Sequence, residues 1–420
     1  MSTTPAYGHP FYLEGESKLL QNNLYPSKMF LKSIQLVNFK NYAEGSFEFS
    51  DKVNAVVGAN GSGKTNLLDA IHYMSLCKSY FLSQDGYAVR FGEEAFAIHG
   101  EFHGFDDDRS RKVSCIYRQG GRKTVKFNGK DYERLSDHIG QFPLIMVAPY
   151  DNDIIHEGSE VRRRFFDMII SQFDREYLHD LISYQKVMVQ RNVLLKQSWE
   201  NGHLDAALLQ IYNDQLVPYA EAVYEKRRRF VETIIPVFQK YYDYLSESRE
   251  QVEIRYLSSL ENSSFSDLLL QNADADFRAG HTTAGIHKDD FDFLMDGRSV
   301  KRFSSQGQQK SFSLALELSQ FDYIYNIKRV KPILLLDDIF DKLDESRISQ
   351  LLNLVGNEHF GQVFLSDTDE NRIVRILDRH KISHKIFRVE KNSFAGVGDT
   401  FLRNKDISHP HSCFIDSSMF

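Results

Sequence analysis

Cysteine is scarce in this chain of 420 residues: Cys77, Cys115 and Cys413 stand far apart, with no Cys-x-x-Cys pair. That argues against a disulfide scaffold and a zinc site, and it suits a reducing, cytoplasmic setting. No run of about 18 apolar residues occurs, so no membrane span is expected. Excess positive charge is also missing, since 51 Lys and Arg face 58 Asp and Glu for a formal charge of −7. A histone-like basic binder is thereby excluded, while a local basic face is not, because patches depend on distribution. There is no internal repeat. The fifteen histidines form no constellation, and Trp199, at a helix end, reads with them as structural.

A chain of this length, 42% hydrophobic, exceeds one ordinary core and suggests two domains or one domain with a large insertion. Residues 1–28 are rich in Ser, Thr, Pro, Tyr and Asn and lack an apolar period. They are expected to be a disordered extension, with Met29 a candidate alternative start. Residues 401–420 form a similarly polar tail.

The richest signal lies near the N-terminal end. Val53-Asn54-Ala55-Val56-Val57 reads as a strand, Gly58-Ala59-Asn60-Gly61-Ser62-Gly63-Lys64-Thr65 fills every fixed position of a phosphate-binding loop, and Leu67, Leu68, Ile71 and Met74 begin an apolar-periodic helix. Glycines in such a loop let backbone N–H groups turn toward a phosphate, and the helix start adds its positive dipole end. Lys64 would then reach the β- and γ-phosphates, and the Thr65 hydroxyl would ligate Mg²⁺. ATP with Mg²⁺ is the expected cofactor.

Two early strands are read at Ile34/Leu36 and Phe47/Phe49, and antiparallel hairpins at 96–102, 112–117 and 124–127. Pro143 and Pro149 bracket another apolar strand at 144–148. From Glu160 the period becomes helical, with a break at Asn201-Gly202 and a long second pattern from Leu204 to Tyr244 that Pro218 and Pro236 would kink. A 25-residue helix is roughly 37 Å long, so this region could project as a hairpin or lobe. Apolar strands return at 333–336 and 363–365, with a closing one near Phe387 and Val389. The expected division is an ATPase head over 29–150, an inserted helical arm over 151–281, and the rest of the head over 282–400.

Asp337 and Asp338 end the 333–336 strand about 270 residues after the loop. Asp337 is placed to hold Mg²⁺, and Asp338 to orient or deprotonate an attacking water. Their plainer role would be to cap a strand. Ser305, Gly307 and Gln308 open a helix that runs to about Tyr325, forming a second anion-binding end. One phosphate loop already serves this chain's own nucleotide. A second γ-phosphate sensor makes sense when it serves the ATP of another copy, which gives the head-to-tail homodimer of ABC-type ATPases. The plainer reading is a capped, buried helix.

In combination these features resemble the RecF family, bacterial recombination and gap-repair ATPases with an SMC-like head. The likeness runs from about Phe30 to about Phe394. It rests on Leu36-Val37-Asn38-Phe39-Lys40-Asn41-Tyr42, Ala148-Pro149-Tyr150-Asp151, Gly158-Ser159 with Arg162-Arg163-Arg164-Phe165-Phe166-Asp167, Gln190-Arg191-Asn192 with Leu194-Leu195-Lys196, and Gly285-Ile286-His287-Lys288-Asp289-Asp290. The resemblance implies an α/β fold, an ABC/SMC-type head whose mixed sheet and helices carry an inserted helical lobe. It implies that Lys40 approaches the nucleotide. It further implies weak DNA-dependent ATPase activity, ATP-driven dimerisation on duplex DNA at single-strand gaps or junctions, and action with RecO and RecR to load RecA.

The chain departs from the family pattern in places. Asp341 stands where Ser is usual before Leu343 and Asp344, and Ser366-Asp367-Thr368 carries no switch histidine, which implies slow hydrolysis. The family's metal-contacting glutamine has no clear counterpart. Arg162-Arg163-Arg164 and Lys226-Arg227-Arg228-Arg229 invite a DNA-backbone reading, although most helical charge runs are solvated faces. The competing functional readings are a nucleotide-binding subunit of a transporter, which the long insertion before the second motif disfavours, and a small SMC-like chromosome protein, which the lack of sustained heptads disfavours.

Overall fold

The computed structural model describes residues 28–148, 153–246, 250–341, 343–357 and 359–390. The expected extension (Lys28 apart), the tail with Cys413, and Pro149-Tyr150-Asp151 lie outside them. Among the described residues, no helix is long and apolar enough to cross a membrane.

The first part of the chain alternates short strands around one helix. In order come β1 (Phe30–Phe39), β2 (Tyr42–Glu48), β3 (Val53–Val57), α1 (Lys64–Leu76), β4 (Ala95–His103), β5 (Arg111–Arg118), β6 (Thr124–Phe127), β7 (Lys130–Asp131) and β8 (Leu144–Val147). A helical region follows: α2 (Asp153–His156), α3 (Ser159–Phe173), α4 (Arg175–Asn201) and α5 (Ala206–Ser246). Then come β9 (Val252–Leu257), α6 (Phe265–Gln271), α7 (Ala273–Ala279), β10 (Asp290–Met295), β11 (Arg298–Ser299), α8 (Val300–Phe303) and α9 (Gln306–Lys328). The chain closes with β12 (Ile333–Leu336), α10 (Glu345–Gly356), β13 (Val363–Asp367), α11 (Glu370–Arg379) and β14 (His384–Arg388).

The strands sort into an antiparallel sheet ordered β2-β1-β4-β5-β6-β7, a parallel sheet ordered β14-β3-β13-β12-β8, and a small sheet ordered β11-β10-β9. The expected α/β head is present, with its parallel and antiparallel strands in separate sheets. Why the parallel strands read as unbroken apolar runs is visible in their packing. Val53, Ala55 and Val57 face one core while Val56 faces the other, and Leu334/Leu336 and Ile333/Leu335 divide in the same way. A sheet covered on both faces has no polar side to show. Helix α1 fills the space between this sheet and the antiparallel one, so it is buried almost all round, including Asp69, His72 and Ser75. Gln362 ties the two sheets: its Oε1 accepts from Leu31 N at 2.8 Å, and its Nε2 donates to Leu31 O and Ser50 O.

The helical region differs from the expected projecting arm. Helix α5 runs unbroken through Pro218 and Pro236, and its later half docks on the head: Phe238 meets Phe312 of α9 edge-on at 4.8 Å, and Tyr241 OH bonds His359 Nε2 at 2.8 Å. Nor does a division at residue 281 follow the structure, because β9 pairs along its length with β10. The insertion therefore includes a small sheet as well as helices. Cys77 and Cys115, distant in sequence, are both buried free thiols in mutual hydrogen-bond contact, which pushes the Cys115 thiol up.

Candidate nucleotide-binding site

Parallel strands gather loops at their carboxyl ends, and here β3, β13 and β12 lie side by side with their ends aligned. The loop 58–65 leaves β3, Ser366 and Asp367 end β13, and Asp337-Asp338 follow β12. Sequence-distant halves meet directly where Thr65 Oγ1 donates to Asp337 Oδ1 at 3.1 Å.

The loop has the shape its glycines demand. A side chain at Gly58 would meet Val389 O at 2.2 Å, and one at Gly63, whose φ is +121°, would meet Asn41 Nδ2 at 2.6 Å. Gly61 also takes a positive φ, of 73°. The preceding turn grips the loop from outside: Asn41 Nδ2 donates to Ser62 O at 2.9 Å, and Tyr42 OH donates to Gly63 O at 3.0 Å. Lys64 Nζ, in a nearly buried side chain, donates to Gly58 O at 3.0 Å and Ala59 O at 3.3 Å, so the cation is held over the loop.

Ser366 organises the acidic pair. Its hydroxyl donates to Asp337 Oδ1 at 2.6 Å and accepts from Asp338 N at 2.8 Å. Burial pushes the Asp337 carboxyl up, the Ser366 and Thr65 hydroxyls oppose that, and the neighbouring Asp338 charge adds to it. Asp338 takes a left-handed backbone, φ +42°, which Asp tolerates better than most residues. Asp367 is gripped by Arg372 through two bonds, 3.0 Å and 2.7 Å, in place of any switch histidine.

These residues fit a magnesium–nucleotide. Ser62 Oγ is buried without a hydrogen-bond partner and lies 2.8 Å from where a Gly58 side chain would begin, so an acceptor entering the loop would satisfy it. Mg²⁺ takes one or two protein oxygens and completes its shell with phosphate and water, and Thr65 and Asp337 offer those two oxygens. Bound there, the ion would neutralise phosphate charge.

Lys40 stands differently from expectation. Its Nζ pairs with the buried Asp69 of α1 at 2.6 Å and lies over Phe81, while its neighbours Asn41 and Tyr42 touch the loop. Asp69 also accepts from Ser79 Oγ and Tyr80 N, so Lys40 completes a structural knot. Ser305 and Gln308 form a reciprocal capping box at the start of α9, and Gln308 Nε2 reaches Glu250 Oε1. Gly307 has room around it, the nearest atom to an added side chain being Arg347 Nη2 at 3.6 Å. Among the described residues, no hydrogen bond links this helix start to the phosphate loop. Asn41, Tyr42 and Ser366 also shape the site, and in the sequence they carry only the family resemblance and the switch position, with no sign of these contacts.

The basic runs are largely neutralised within the fold. Arg162 is bidentate to Asp290, Arg163 donates to Asp289 O, Lys226 pairs with Asp174 and Glu176, and Arg228 and Arg229 pair with Glu225. Arg227 is buried against Asp167 and Asp289. Arg191, of the Gln190-Arg191-Asn192 motif, is fully buried on Asp276, Thr282 and Asn213.

Residues 30–390 match the family model of the RecF/RecN/SMC N-terminal domain. A DNA replication and repair protein RecF of Flavobacterium johnsoniae is 45% identical over 361 residues, 86% of this chain and the whole of that one. The chain belongs to the RecF family. A RecF of Parabacteroides distasonis is 42% identical over 363 residues, 86% of this chain and 98% of its own. A solved structure of the recombination mediator protein RecF with ATP, in the RecFOR pathway, is 29% identical with a TM-score of 0.81, over 90% of this chain and 99% of the other. The head of an SMC protein from Pyrococcus furiosus shares the fold at 17% identity and a TM-score of 0.52, over 89% and 96% of the two chains. The RecF family's ATP-binding, ABC-type head is thus the frame in which the loop, Asp337 and Ser366 are held.

Proposed function

We propose that this protein is an ATP-dependent DNA-binding protein of recombinational gap repair and replication, whose two heads close around ATP and clamp duplex DNA. The observation that carries the reading is the Thr65–Asp337 bond, which joins a complete phosphate loop to an acidic strand end as a magnesium–ATP site requires. In this reading Lys64 neutralises the β- and γ-phosphates, Thr65 and Asp337 hold Mg²⁺, and Asp338 takes the proton of the attacking water. Gly58, Ala59, Asn60, Gly61, Ser62 and Gly63 cradle the phosphates. Ser305, Gly307 and Gln308 meet the γ-phosphate of a second copy, so neither head completes its site alone. Slow hydrolysis resets the clamp. Action with RecR and RecO follows the RecFOR pathway named for the related structure, while action at gaps leading to RecA loading is what the family resemblance implies.

DNA affinity should come from backbone contacts, and therefore fall steeply as salt rises. The test is sedimentation and duplex binding of the full chain with no nucleotide, with ADP and with a non-hydrolysable ATP analogue. Dimerisation and duplex retention should appear only with the analogue and vanish in Lys64→Ala. Wild-type turnover by the purified Lys64→Ala protein would end the assignment.

A further inference from the structure

Away from the nucleotide site, a cleft of about 540 Å³ opens between the end of α1, helix α3 and the first half of α4. Its apolar lining comes from Leu76, Ile139, Met168, Leu178, Leu181 and Ile182. Cations stand on the same walls. Arg163 is used once, by Asp289 O, while Lys78 and Arg164 form no side-chain ion pair among the described residues. Desolvation, then the neighbouring Arg164 and Lys123 charges, lower the Lys78 pKa, and Asp167 opposes them, although much of the Lys78 surface is exposed. Of the acids on these walls, Asp167 is already held by Arg227, which leaves Glu160 at the rim.

The cleft continues onto an open face of α4. Ile182, Val189 and Val193 recur at helical spacing and are 47%, 62% and 49% exposed, which is costly for three apolar side chains in line. Lys186 and Lys196 lie on the same face, both exposed and neither in an ion pair among the described residues. From Ile182 to Val193 the stripe is about 16 Å long. Nucleic-acid interfaces are more polar and more basic than protein–protein ones, whereas an apolar line edged with cations complements an acidic, apolar protein segment.

We propose that this cleft and stripe dock an acidic amphipathic helix of a partner protein, its apolar side chains on Ile182, Val189 and Val193 and its carboxylates on Lys78, Arg164 and Lys186. Binding here does not depend on the nucleotide reading. The full-length chain would be used to select from a display library of random fifteen-residue peptides, and a selected peptide would be synthesised with a fluorescent label. Selected sequences should combine Asp or Glu with Leu, Ile or Phe at helical spacing. Arg164→Glu and Ile182→Asp, both at exposed positions, should each weaken the labelled peptide at least tenfold, while Arg379→Glu on a distant helix should leave it within twofold. Lys78→Glu gives an independent check from the opposite wall, and unchanged melting and ATP binding would show that the variants fold. The proposal fails if selection yields no acidic-apolar pattern or if the peptide binds these variants as it binds wild type. It fails equally if Arg164→Glu weakens an oligonucleotide tenfold while Ile182→Asp affects neither ligand, since the cleft would then be a nucleic-acid path.

Discussion

Ser366→Ala isolates one hydroxyl that serves both acidic residues. In the wild type that hydroxyl spends its proton on Asp337 Oδ1 at 2.6 Å and its lone pair on Asp338 N at 2.8 Å, and its 3.4 Å approach to Asp338 Oδ1 adds little. Alanine removes a hydrogen bond to a carboxylate, about 1.5–3 kcal/mol, and leaves a peptide N–H without its partner. Asp338 then loses what holds its left-handed backbone, and its carboxylate should drift from the position a general base needs. If the positioning energy is lost from the transition state, about 1.5–3 kcal/mol corresponds to a fall in turnover of roughly 10- to 100-fold. Lys64 and the loop's N–H groups are untouched, so ATP affinity should change little. Steady-state hydrolysis alongside titration with a fluorescent ATP analogue separates the two effects. Turnover within twofold of wild type, or an equal loss in affinity, would refute the positioning argument.

Asp338→Asn should keep magnesium–ATP bound while cleavage slows, so that a closed dimer accumulates in sedimentation; wild-type turnover would remove Asp338 as the base. Ser305→Arg should bind ATP yet stay monomeric and fail to retain duplex DNA, and normal dimerisation by this variant would rule out the head-to-tail sandwich. Arg227→Ala strips a buried cation from Asp167 and Asp289 and should lower unfolding stability by about 3–5 kcal/mol in denaturant titration, whereas the exposed Arg229→Ala should leave the transition in place. His72 and His287 are held neutral by burial with pKa values lowered to about 4, below the 6.5 of an unfolded chain. The unfolded state therefore takes up protons first, and stability present above pH 6.5 should drain as pH falls toward 4, by about 1.4 kcal/mol per unit and histidine. Melting of the His72→Gln, His287→Gln double variant should show a flatter acid limb; an unchanged slope would count against it.

Where the chain's local pattern and its burial agree, the fold was legible. Val53–Val57 and Ile333–Leu336 are apolar because both faces of the parallel sheet are covered, and the hairpins of 96–127 carry their turn glycines openly. The long pattern from Leu204 to Tyr244 is one helix that contains both Pro218 and Pro236, and its later half packs on α9, a contact that its own periodicity does not announce. The sheet β11-β10-β9 was missed for another reason. Strand β9 is short, follows a 41-residue helix, and has its partner 33 residues onward, so nothing local announces the pairing. At the candidate site, the loop and the Asp pair were visible because their residue types are bound to spacing. Asn41, Tyr42 and Ser366 were not, since a hydroxyl or amide that grips a backbone atom leaves no pattern in sequence.

Sheet order explains how a site split by about 270 residues can remain one site. Because β13 lies between β3 and β12, the loop and the acidic pair are each one strand away from Ser366, whatever the chain does between β8 and β12. The insertion enters after one strand of this sheet and returns before another, so its helices can grow without moving the strand ends that carry the chemistry. The same logic accounts for the basic runs. Arg162, Arg163 and Arg227 lie where the insertion's helices meet its strand β10 and the turn before it, and they bond Asp289, Asp290 and Ile286 O. Their charge fastens the insertion's helices to its own small sheet, so motion at the Asp289 segment, a short way upstream of Ser305, would have to break the buried Arg227–Asp289 pair. The insertion and the start of α9 should accordingly move as one body when two heads close.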